Sequence, residues 1–343
     1  MKSGLAFLVS FLVTYLSIPL FIILAFRLNI LDHPGGRKIH RIATPLLGGA
    51  AIYLGLITGL FFFNLKYFHL YFPILIGGTF ILILGLITDI KELTARLRFL
   101  LQLLIALIVI RLGAKISFLP KGPWKEITEV LITAIWIVGV TNAYNYLDGM
   151  NGLAGGSAAI NLFFFAVILY FFGQYPLGLL SIILLAACLG FLPFNFKKAK
   201  IFLGEAGSTF LGFILAAIAL VGNWAEDSIV KISIPVLILG VPIFDMIFTT
   251  VMRVKEGKVK TMLEWMGYGG KDHFHHYLVD LGFSPLGAVV FIWGVTISLG
   301  IAAIMVSNDR APEAFLAILQ AGITFIILAS LIVVGKRHHS GWA

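Results

Sequence analysis

Eleven apolar runs, separated by short polar segments, dominate this 343-residue sequence. Hydrophobic residues make up 60% of the chain and charged residues 12%, whereas soluble domains are about 45–50% apolar. A transmembrane helix needs about 20 mostly apolar residues to cross a hydrocarbon core of about 30 Å. The sequence therefore predicts an all-α, polytopic integral membrane protein with about eleven transmembrane helices, or ten. The predicted apolar cores are 5–26, 45–63, 72–87, 99–112, 130–140, 158–172, 177–194, 210–221, 232–248, 286–306 and 314–334.

The loop charges predict an orientation. One set of loops, with the C-terminal tail, holds 17 of the 25 Lys and Arg residues, and the other set holds 8. Because basic loops stay inside, we expect the N-terminus outside, the C-terminus in the cytoplasm and the protein in the inner (cytoplasmic) membrane. The basic residues are spread over five loops and a tail rather than one soluble patch, which argues against nucleic-acid binding. The longest loop has only about 30 residues, as expected of one integral domain, 1–343.

Four carboxylates fall at the predicted cytoplasmic face: Asp89, Asp148, Glu205 and Asp245. Carboxylates beside membrane spans are costly to desolvate and usually face a wet cavity or a partner. The alternative is that each is an interfacial charge paired with a nearby Lys or Arg. Their convergence on one face favours a functional site.

Glycines surround two of these carboxylates, in the segments NAYNYLDGMNGLAGG (142–156) and GEAGS (204–208). Glycine lets backbone N–H groups approach an anion closely, and a following helix N-terminus adds a favourable dipole. Tight packing of small residues between membrane helices is the alternative. A carboxylate beside phosphate oxygens requires a divalent cation, and Mg²⁺, with Mn²⁺ as a substitute, is the natural candidate.

Histidines and basic residues supply candidate phosphate ligands. The segment GGKDHFHHYL carries His273, His275 and His276. A histidine cluster can bind zinc, but no Cys accompanies it, so phosphate binding through ring N–H groups is the simpler role. The first loop, DHPGGRKIHRIATPLLGG, places Lys38 beside the Thr44 turn; its charges either bind phosphate or only set the orientation.

Six sequence motifs, in a fixed order along the chain, resemble those of a known family. The chain resembles the polyprenyl-phosphate N-acetylhexosamine-1-phosphate transferases of glycosyltransferase family 4. The resemblance covers nearly the whole chain, in family order, through RKIHRIATPLLGG, GLITDIKELTARLRFLLQ, NAYNYLDGMNGLAGG, FNFKKAKIFLGEAGSTFLG, PIFDMIF and DHFHHYL.

The resemblance implies a reaction. An N-acetylhexosamine 1-phosphate, in the first place GlcNAc-1-phosphate, passes from a UDP-sugar to undecaprenyl or another polyprenyl phosphate. UMP is released, and the lipid-linked diphosphate sugar starts a cell-envelope glycan such as O-antigen or teichoic acid. The resemblance also implies Mg²⁺ and an active site in cytoplasmic loops 27–44, 88–98, 141–157, 195–209 and 253–285.

The family motifs imply roles for individual residues. Glu205 stands at the metal-binding position, Phe202 matches a uracil-stacking aromatic and Asn151 is expected to face uracil. The expected catalytic residues are Asp89, Arg98, Asp148, His273 and His275. The expected substrate-binding residues are Lys38, Thr44, Asn142, Asn145, Asn151, Asn195, Phe202 and His276.

Three positions depart from the family pattern, in which Thr88, Asn151 and Glu205 would each be Asp. The Asp missing at Thr88 is the one proposed to activate the lipid phosphate. A phosphate monoester has a second pKa of about 6 and is largely dianionic at pH 7, so such a base is dispensable. We therefore expect direct in-line attack of the lipid phosphate on the β-phosphorus. A two-step route through an acyl phosphate on Asp89 is the alternative.

Two other classes of function remain open. A transporter or lipid carrier usually has internal repeats and a site near the bilayer midplane, and the sequence has no evident repeat. A diverged, inactive relative that only binds lipid phosphate would fit Thr88. The sequence leaves open the sugar, the prenyl chain length and whether the protein forms a homodimer.

Overall fold

The computed structural model describes residues 2–33, 42–63, 65–116, 122–268, 270, 272–308 and 310–340. These residues form fourteen α-helices, one 3₁₀ turn and one two-stranded sheet. The helices are α1 Lys2–Leu28, α2 Gly48–Phe63, α3 Phe68–Lys91, α4 Ala95–Arg111, α5 Lys125–Leu147, α6 Leu153–Phe171, α7 Tyr175–Asn195, α8 Gly204–Val221, α9 Ser228–Ile238, α10 Gly240–Lys255, α11 Met262–Gly267, α12 Phe274–Asp280, α13 Pro285–Val306 and α14 Ala311–Ser340. Strands β1 (Leu31–Asp32) and β2 (Thr44–Pro45) pair antiparallel.

The prediction of an all-α, polytopic membrane protein is confirmed. Within the described residues, eight helices are long and apolar enough to cross a membrane: α1, α3, α5, α6, α7, α8, α13 and α14. Helices α2 and α4 lie on predicted runs but have 16 and 17 residues. The number of crossings and the orientation of the termini stay predictions.

The ninth predicted run, 232–248, lies on two helices instead of one. Helices α9 and α10 meet at a bend of 77°. Pro242, in the first turn of α10, has no backbone N–H to donate to Ile238, the last residue of α9. The missing hydrogen bond and the clash of the ring with the preceding turn break the helix at this point.

The chain divides into two compact units, Met1–Gly222 and Asn223–Ala343. The first contains α1 to α8 with the small sheet, and the second contains α9 to α14. The candidate carboxylates 89, 148 and 205 belong to the first unit, and the histidine segment belongs to the second. That the whole chain is one functional domain stays a prediction.

Helix α8 is the centre of the first unit and packs against α2, α3 and α5. At its first turn the neighbouring backbones come very close. A Cβ added to Gly49 of α2 would clash with the backbone of Gly207, and one added to Gly85 of α3 would clash with the backbone of Ala206. Small residues permit such contacts between membrane helices. Gly207, predicted with the anion-binding glycines, therefore serves helix packing here.

Candidate active site

A short network of backbone hydrogen bonds surrounds the start of α8. Asp32 faces Thr44 in the small sheet. The N–H of Phe202 donates to the carbonyl of Pro45 at 2.8 Å, and the N–H of Gly48 donates to the carbonyl of Phe202 at 3.0 Å. The predicted residues Thr44 and Phe202 are thus held on adjoining segments beside α8. Thr44 is buried, whereas Phe202 is partly exposed.

Asp89 binds the N-terminus of α8. Its carboxylate lies in the last turn of α3 and accepts hydrogen bonds from the N–H groups of Glu205 at 2.8 Å and Ala206 at 3.1 Å. These are donors that a helix leaves without intrahelical partners, and the helix dipole favours an anion here. A carboxylate of the chain, rather than a ligand, therefore occupies the anion-binding position predicted for the segment 204–208.

Gly204 makes this contact possible. Its φ is +71°, a left-handed conformation, and a Cβ at this position would lie 2.5 Å from Asp89 Oδ2 and from the carbonyl oxygen of Leu46. Glycine adopts positive φ without the steric cost of other residues. The motif glycine before Glu205 is therefore required by both backbone conformation and space.

We expect Gly204→Ala to lower both stability and turnover. The left-handed backbone costs about 1–2 kcal/mol for a residue with a Cβ, and the clash should displace Asp89 from α8. Gly173→Ala is the matched control, because Gly173 has φ +68° but nothing within 4 Å of the added Cβ. Thermal unfolding in detergent and turnover should show a stability loss in both variants and a turnover loss only at Gly204. Equal turnover in both variants would contradict the assigned contact.

Glu205, the predicted metal ligand, forms an ion pair with Arg98. Arg98 lies in the first turn of α4, which begins after the N-cap Thr94. Both side chains are partly exposed, at 19% for Glu205 and 28% for Arg98. The two residues predicted to handle the metal and the phosphates are therefore neighbours, and each neutralises the other.

Asp148 has no such partner. No described residue donates a hydrogen bond to its carboxylate or forms an ion pair with it. It is the C-cap of α5, and burial together with the nearby Asp89 carboxylate raises the pKa of Asp148 well above its usual value. A carboxylate in this environment is stabilised by an added cation or proton.

Asn195 joins two loops of the site. Its Oδ1 accepts from the N–H of Gly152 at 2.7 Å and its Nδ2 donates to the carbonyl of Ile201 at 2.9 Å. Asn151 adds a 3.2 Å hydrogen bond from Nδ2 to the carbonyl of Lys197. Asn195 is buried and both ends of its amide are used within the chain, so its structural role is to hold the turn after Asp148 against the segment before α8.

Two further asparagines connect α5 to its neighbours. Asn142 donates from Nδ2 to Gln102 Oε1 at 2.6 Å and to the carbonyl of Val138 at 2.8 Å. Asn145 donates from Nδ2 to Ser208 Oγ at 3.0 Å. Both amides therefore fix the register of α5 against α4 and α8, close to Asp148 at the end of α5.

The second unit contains the histidine segment, and most of it is buried. His273 Nδ1 lies 3.0 Å from Asp245 Oδ2, and His273 Nε2 lies 3.3 Å from Arg253 Nη2. His275 is 1% exposed, and its two ring nitrogens have no hydrogen-bond partner among the described residues. Burial lowers the pKa of His275 to about 3, so its ring is neutral. Of the three predicted histidines, only His276 is partly exposed.

Several predicted residues thus come together in the first unit, around the start of α8. Lys38 lies outside the described residues. The sequence analysis did not select Asp32, which lies close enough to Asp89 for electrostatic repulsion. Its position at the start of the basic first loop was the signal that could have found it. Arg253 was also left out. Its four-residue spacing from Thr249 and Asp245 would have indicated that these three polar residues share one face of an apolar helix.

The carboxylates fit a magnesium ion shared with a substrate. No group of three His, Cys, Asp or Glu residues able to hold a metal occurs within the described parts of the chain. Mg²⁺, however, is usually held by one or two carboxylates together with substrate phosphates and water. Asp148 has a carboxylate that no described residue pairs with, and Glu205 has a partly exposed one, which supplies oxygen donors of the kind that this mode of binding requires.

Carboxylates and an arginine gathered around the start of one helix in a polytopic helical fold are typical of a functional site in a membrane protein. The chain belongs to glycosyl transferase family 4, whose model matches residues 71–223.

Relatives match most of the chain. A probable undecaprenyl-phosphate N-acetylglucosaminyl 1-phosphate transferase of Bacillus subtilis (strain 168) is 33% identical over 308 residues, which cover 88% of this chain and 84% of the relative. A decaprenyl-phosphate N-acetylglucosaminephosphotransferase of Mycobacterium tuberculosis (strain CDC 1551 / Oshkosh) is 30% identical over 356 residues, covering 92% and 86%. An undecaprenyl-phosphate alpha-N-acetylglucosaminyl 1-phosphate transferase of Yersinia pestis is 25% identical over 280 residues, covering 78% and 74%.

Proposed function

We propose that this protein transfers N-acetylglucosamine 1-phosphate from UDP-GlcNAc to a polyprenyl phosphate, with release of UMP. The observation that carries the proposal is the cluster of Asp89, Arg98, Asp148 and Glu205 at the start of α8, within the region that matches the family. The names of the relatives support this donor sugar and this class of acceptor. Undecaprenyl phosphate is the acceptor that we propose first.

The reaction is a displacement at phosphorus. An oxygen of the lipid phosphate attacks the β-phosphorus of UDP-GlcNAc, a new P–O bond forms, and the bond to the UMP oxygen breaks. Positively charged and N–H groups that hold phosphate oxygens stabilise the charge that develops in such a transition state. Arg98, Lys38, His275 and His276 are the groups that we propose for this task.

Glu205 and Asp148 are the side chains that would hold Mg²⁺ or Mn²⁺. A bound divalent cation neutralises the diphosphate and the departing UMP. Arg98 forms an ion pair with the Glu205 carboxylate in the structure. We propose that the guanidinium group of Arg98 leaves that carboxylate and binds a phosphate oxygen when substrate binds. Asp89 keeps both carboxylate oxygens on α8, so its role is to position Glu205.

The remaining predicted residues are proposed to bind the donor nucleotide. Asn151 retains its amide oxygen for the uracil edge, since its Nδ2 group donates to the chain. Phe202 is partly exposed and is proposed to stack on uracil. We propose that the site lies on the cytoplasmic face of the inner membrane, as the loop charges favour. Thr44, Asn142, Asn145 and Asn195 support the same site through the contacts described above.

One observation favours a second candidate, an inactive relative that binds lipid phosphate. Thr88 stands where the family has an Asp, and its hydroxyl donates to the carbonyl of Leu84 at 2.9 Å inside α3. A buried hydroxyl that is used in this way cannot act as a base. The in-line mechanism remains consistent with Thr88 only because the attacking phosphate is already ionised.

A product assay tests the proposal. Purified protein in detergent is incubated with UDP-GlcNAc, undecaprenyl phosphate and Mg²⁺, and UMP is measured by chromatography. We expect UMP only when all three are present, and none after chelation of the metal. Binding of the lipid phosphate without release of UMP would favour the inactive relative, and UMP formation without the lipid acceptor would contradict transfer. Parallel reactions with other UDP-N-acetylhexosamines define the sugar.

A further inference from the structure

The second unit contains a buried polar network that sequence reasoning did not assign. Asp245, Thr249 and Arg253 follow one another at intervals of four residues along α10, so they share one side of that helix. This side faces the segment that begins at Asp272. All three residues are buried, and Arg253 is only 1% exposed. A charged side chain is rarely buried to this extent unless it is paired.

Arg253 and Asp272 form the paired part of the network. Arg253 donates from Nε to Asp272 Oδ2 at 2.9 Å and from Nη2 to Asp272 Oδ1 at 2.7 Å. The guanidinium group also lies over the ring of Tyr268, 4.8 Å from its centroid. Burial alone would raise the pKa of Asp272, but the hydrogen bonds and charge of Arg253 hold that pKa below its usual value. This two-point contact fixes the chain just before the histidines.

Asp245 fixes the histidine that follows. His273 is the N-cap of α12, yet its own side chain makes no capping hydrogen bond. Asp245 instead accepts the N–H of Phe274 at 2.6 Å and faces His273 Nδ1 at 3.0 Å. A carboxylate from another helix thus replaces the missing cap and orients the ring at the same time.

The partners of His273 also define its tautomer. Arg253 can only donate hydrogen bonds, so the ring nitrogen Nε2, 3.3 Å from Arg253 Nη2, has to accept. The ring proton is then on Nδ1, where it donates to Asp245. With both nitrogens used in this way, His273 has no free donor for a phosphate.

We propose that Asp245 and Arg253 are positioning residues, which hold His273 in its Nδ1–H tautomer and thereby fix the first turn of α12, where His275 and His276 lie. The proposal rests on the transferase function proposed above. It changes the role of His273 from the predicted phosphate ligand to a residue that holds the first turn of α12 in place. His275 and His276 remain the histidines of this segment that are proposed to meet the substrate.

Nuclear magnetic resonance tests the tautomer without any need for turnover. The protein is labelled with ¹⁵N at the histidine rings, reconstituted in lipid, and compared with His273→Gln to assign the His273 signals. We expect a protonated Nδ1 and an unprotonated Nε2. A proton on Nε2, or on both nitrogens, would overturn the proposal even if the enzyme is active, and an inactive enzyme with the expected tautomer would leave it standing.

Kinetics test the positioning role. Loss of a side chain that orients a metal ligand typically costs about 10–100-fold. We expect a loss of about this order for a residue that fixes the first turn of α12, so Asp245→Asn should lower kcat by about 10–100-fold and leave the KM for UDP-GlcNAc within about threefold. Because Asp245 acts through His273, the double variant Asp245→Asn/His273→Gln should be no worse than about threefold below the lower single variant. Multiplied losses, or an unchanged kcat in Asp245→Asn, would overturn the proposal.

Thr250→Val is the matched control. Thr250 lies on the same helix and its hydroxyl accepts a hydrogen bond from Trp265 Nε1 at 2.9 Å, outside the His273 network. We expect this variant to keep kcat, the tautomer of His273 and the KM for UDP-GlcNAc. If Thr250→Val lowered kcat as much as Asp245→Asn does, general loosening of the unit would explain both effects, and the positioning role would be rejected.

Discussion

Glu205→Gln is expected to lower Mg²⁺-dependent transfer by about 10³-fold, since a metal-binding carboxylate supplies several kcal/mol of transition-state stabilisation and each 1.36 kcal/mol is tenfold in rate. The substitution keeps the size of the side chain but removes its charge and its ion pair with Arg98. Release of UMP at saturating Mg²⁺ measures the effect. Binding of Mn²⁺ in the presence of UDP-GlcNAc, followed by electron paramagnetic resonance, should weaken in parallel.

Glu205→Asp is the control for charge. It keeps a carboxylate at this position, as the Asp of the family pattern, and removes one methylene. We expect it to keep Mg²⁺-dependent release of UMP and Mn²⁺ binding, at a rate reduced far less than that of the Gln variant. Near-normal turnover in Glu205→Gln would show that the metal assignment is wrong, whereas equal, large losses in both variants would show that side-chain length rather than charge matters.

Asp89→Asn is expected to reduce turnover by about 10–100-fold and to lower the unfolding temperature. The amide offers one oxygen and one NH₂ group, so one of the N–H groups of Glu205 and Ala206 loses its acceptor. A hydrogen bond to a charged group contributes about 1.5–3 kcal/mol, and the displaced first turn of α8 carries Glu205 with it. A direct displacement predicts residual turnover of a few per cent, whereas a covalent intermediate on Asp89 predicts none.

Asp227→Asn is the control for loss of a carboxylate charge at a helix N-terminus. Asp227 is the N-cap of α9 and accepts the N–H groups of Ile229 at 2.8 Å and Val230 at 3.1 Å through the single oxygen Oδ1, whereas Asp89 uses one oxygen for each N–H group. Asn keeps the accepting oxygen and is about as good an N-cap as Asp, so we expect a smaller loss of stability than in Asp89→Asn. Turnover should be unchanged, because Asp227 is not among the proposed site residues. Undetectable turnover in Asp89→Asn, with overall helix content unchanged in circular dichroism, would favour the two-step route.

Much of the fold could be predicted because long apolar segments of a chain form helices in a membrane. Every predicted run except the ninth falls mainly on one helix, since apolar length and the need to satisfy backbone hydrogen bonds in lipid leave little choice. The ninth run was harder to predict, because apolar composition continues through the break that Pro242 causes between α9 and α10. Likewise, α2 and α4 are shorter than the length needed to cross a membrane, and the apolar composition of the sequence does not show where these helices end.

The residue types of the candidate site were predictable, but their partners were not. Motif spacing selected Asp89, Asp148 and Glu205, yet it could not reveal that Asp89 caps α8 while Asp148 is left without a described partner. Those differences depend on which backbone N–H groups lie within about 3 Å of each carboxylate, and residues more than 100 positions apart in the chain supply them.

By itself, therefore, the sequence determined the helical membrane fold, the family and the chemical types at the site, because length, hydropathy and ordered motifs are local properties of the chain. Only the tertiary structure decided the roles. It placed Arg98 on Glu205, used Asn195 to join two loops, and enclosed His273 between Asp245 and Arg253. A side chain is free for a ligand only when its own chain does not satisfy it, and that depends on contacts between distant segments.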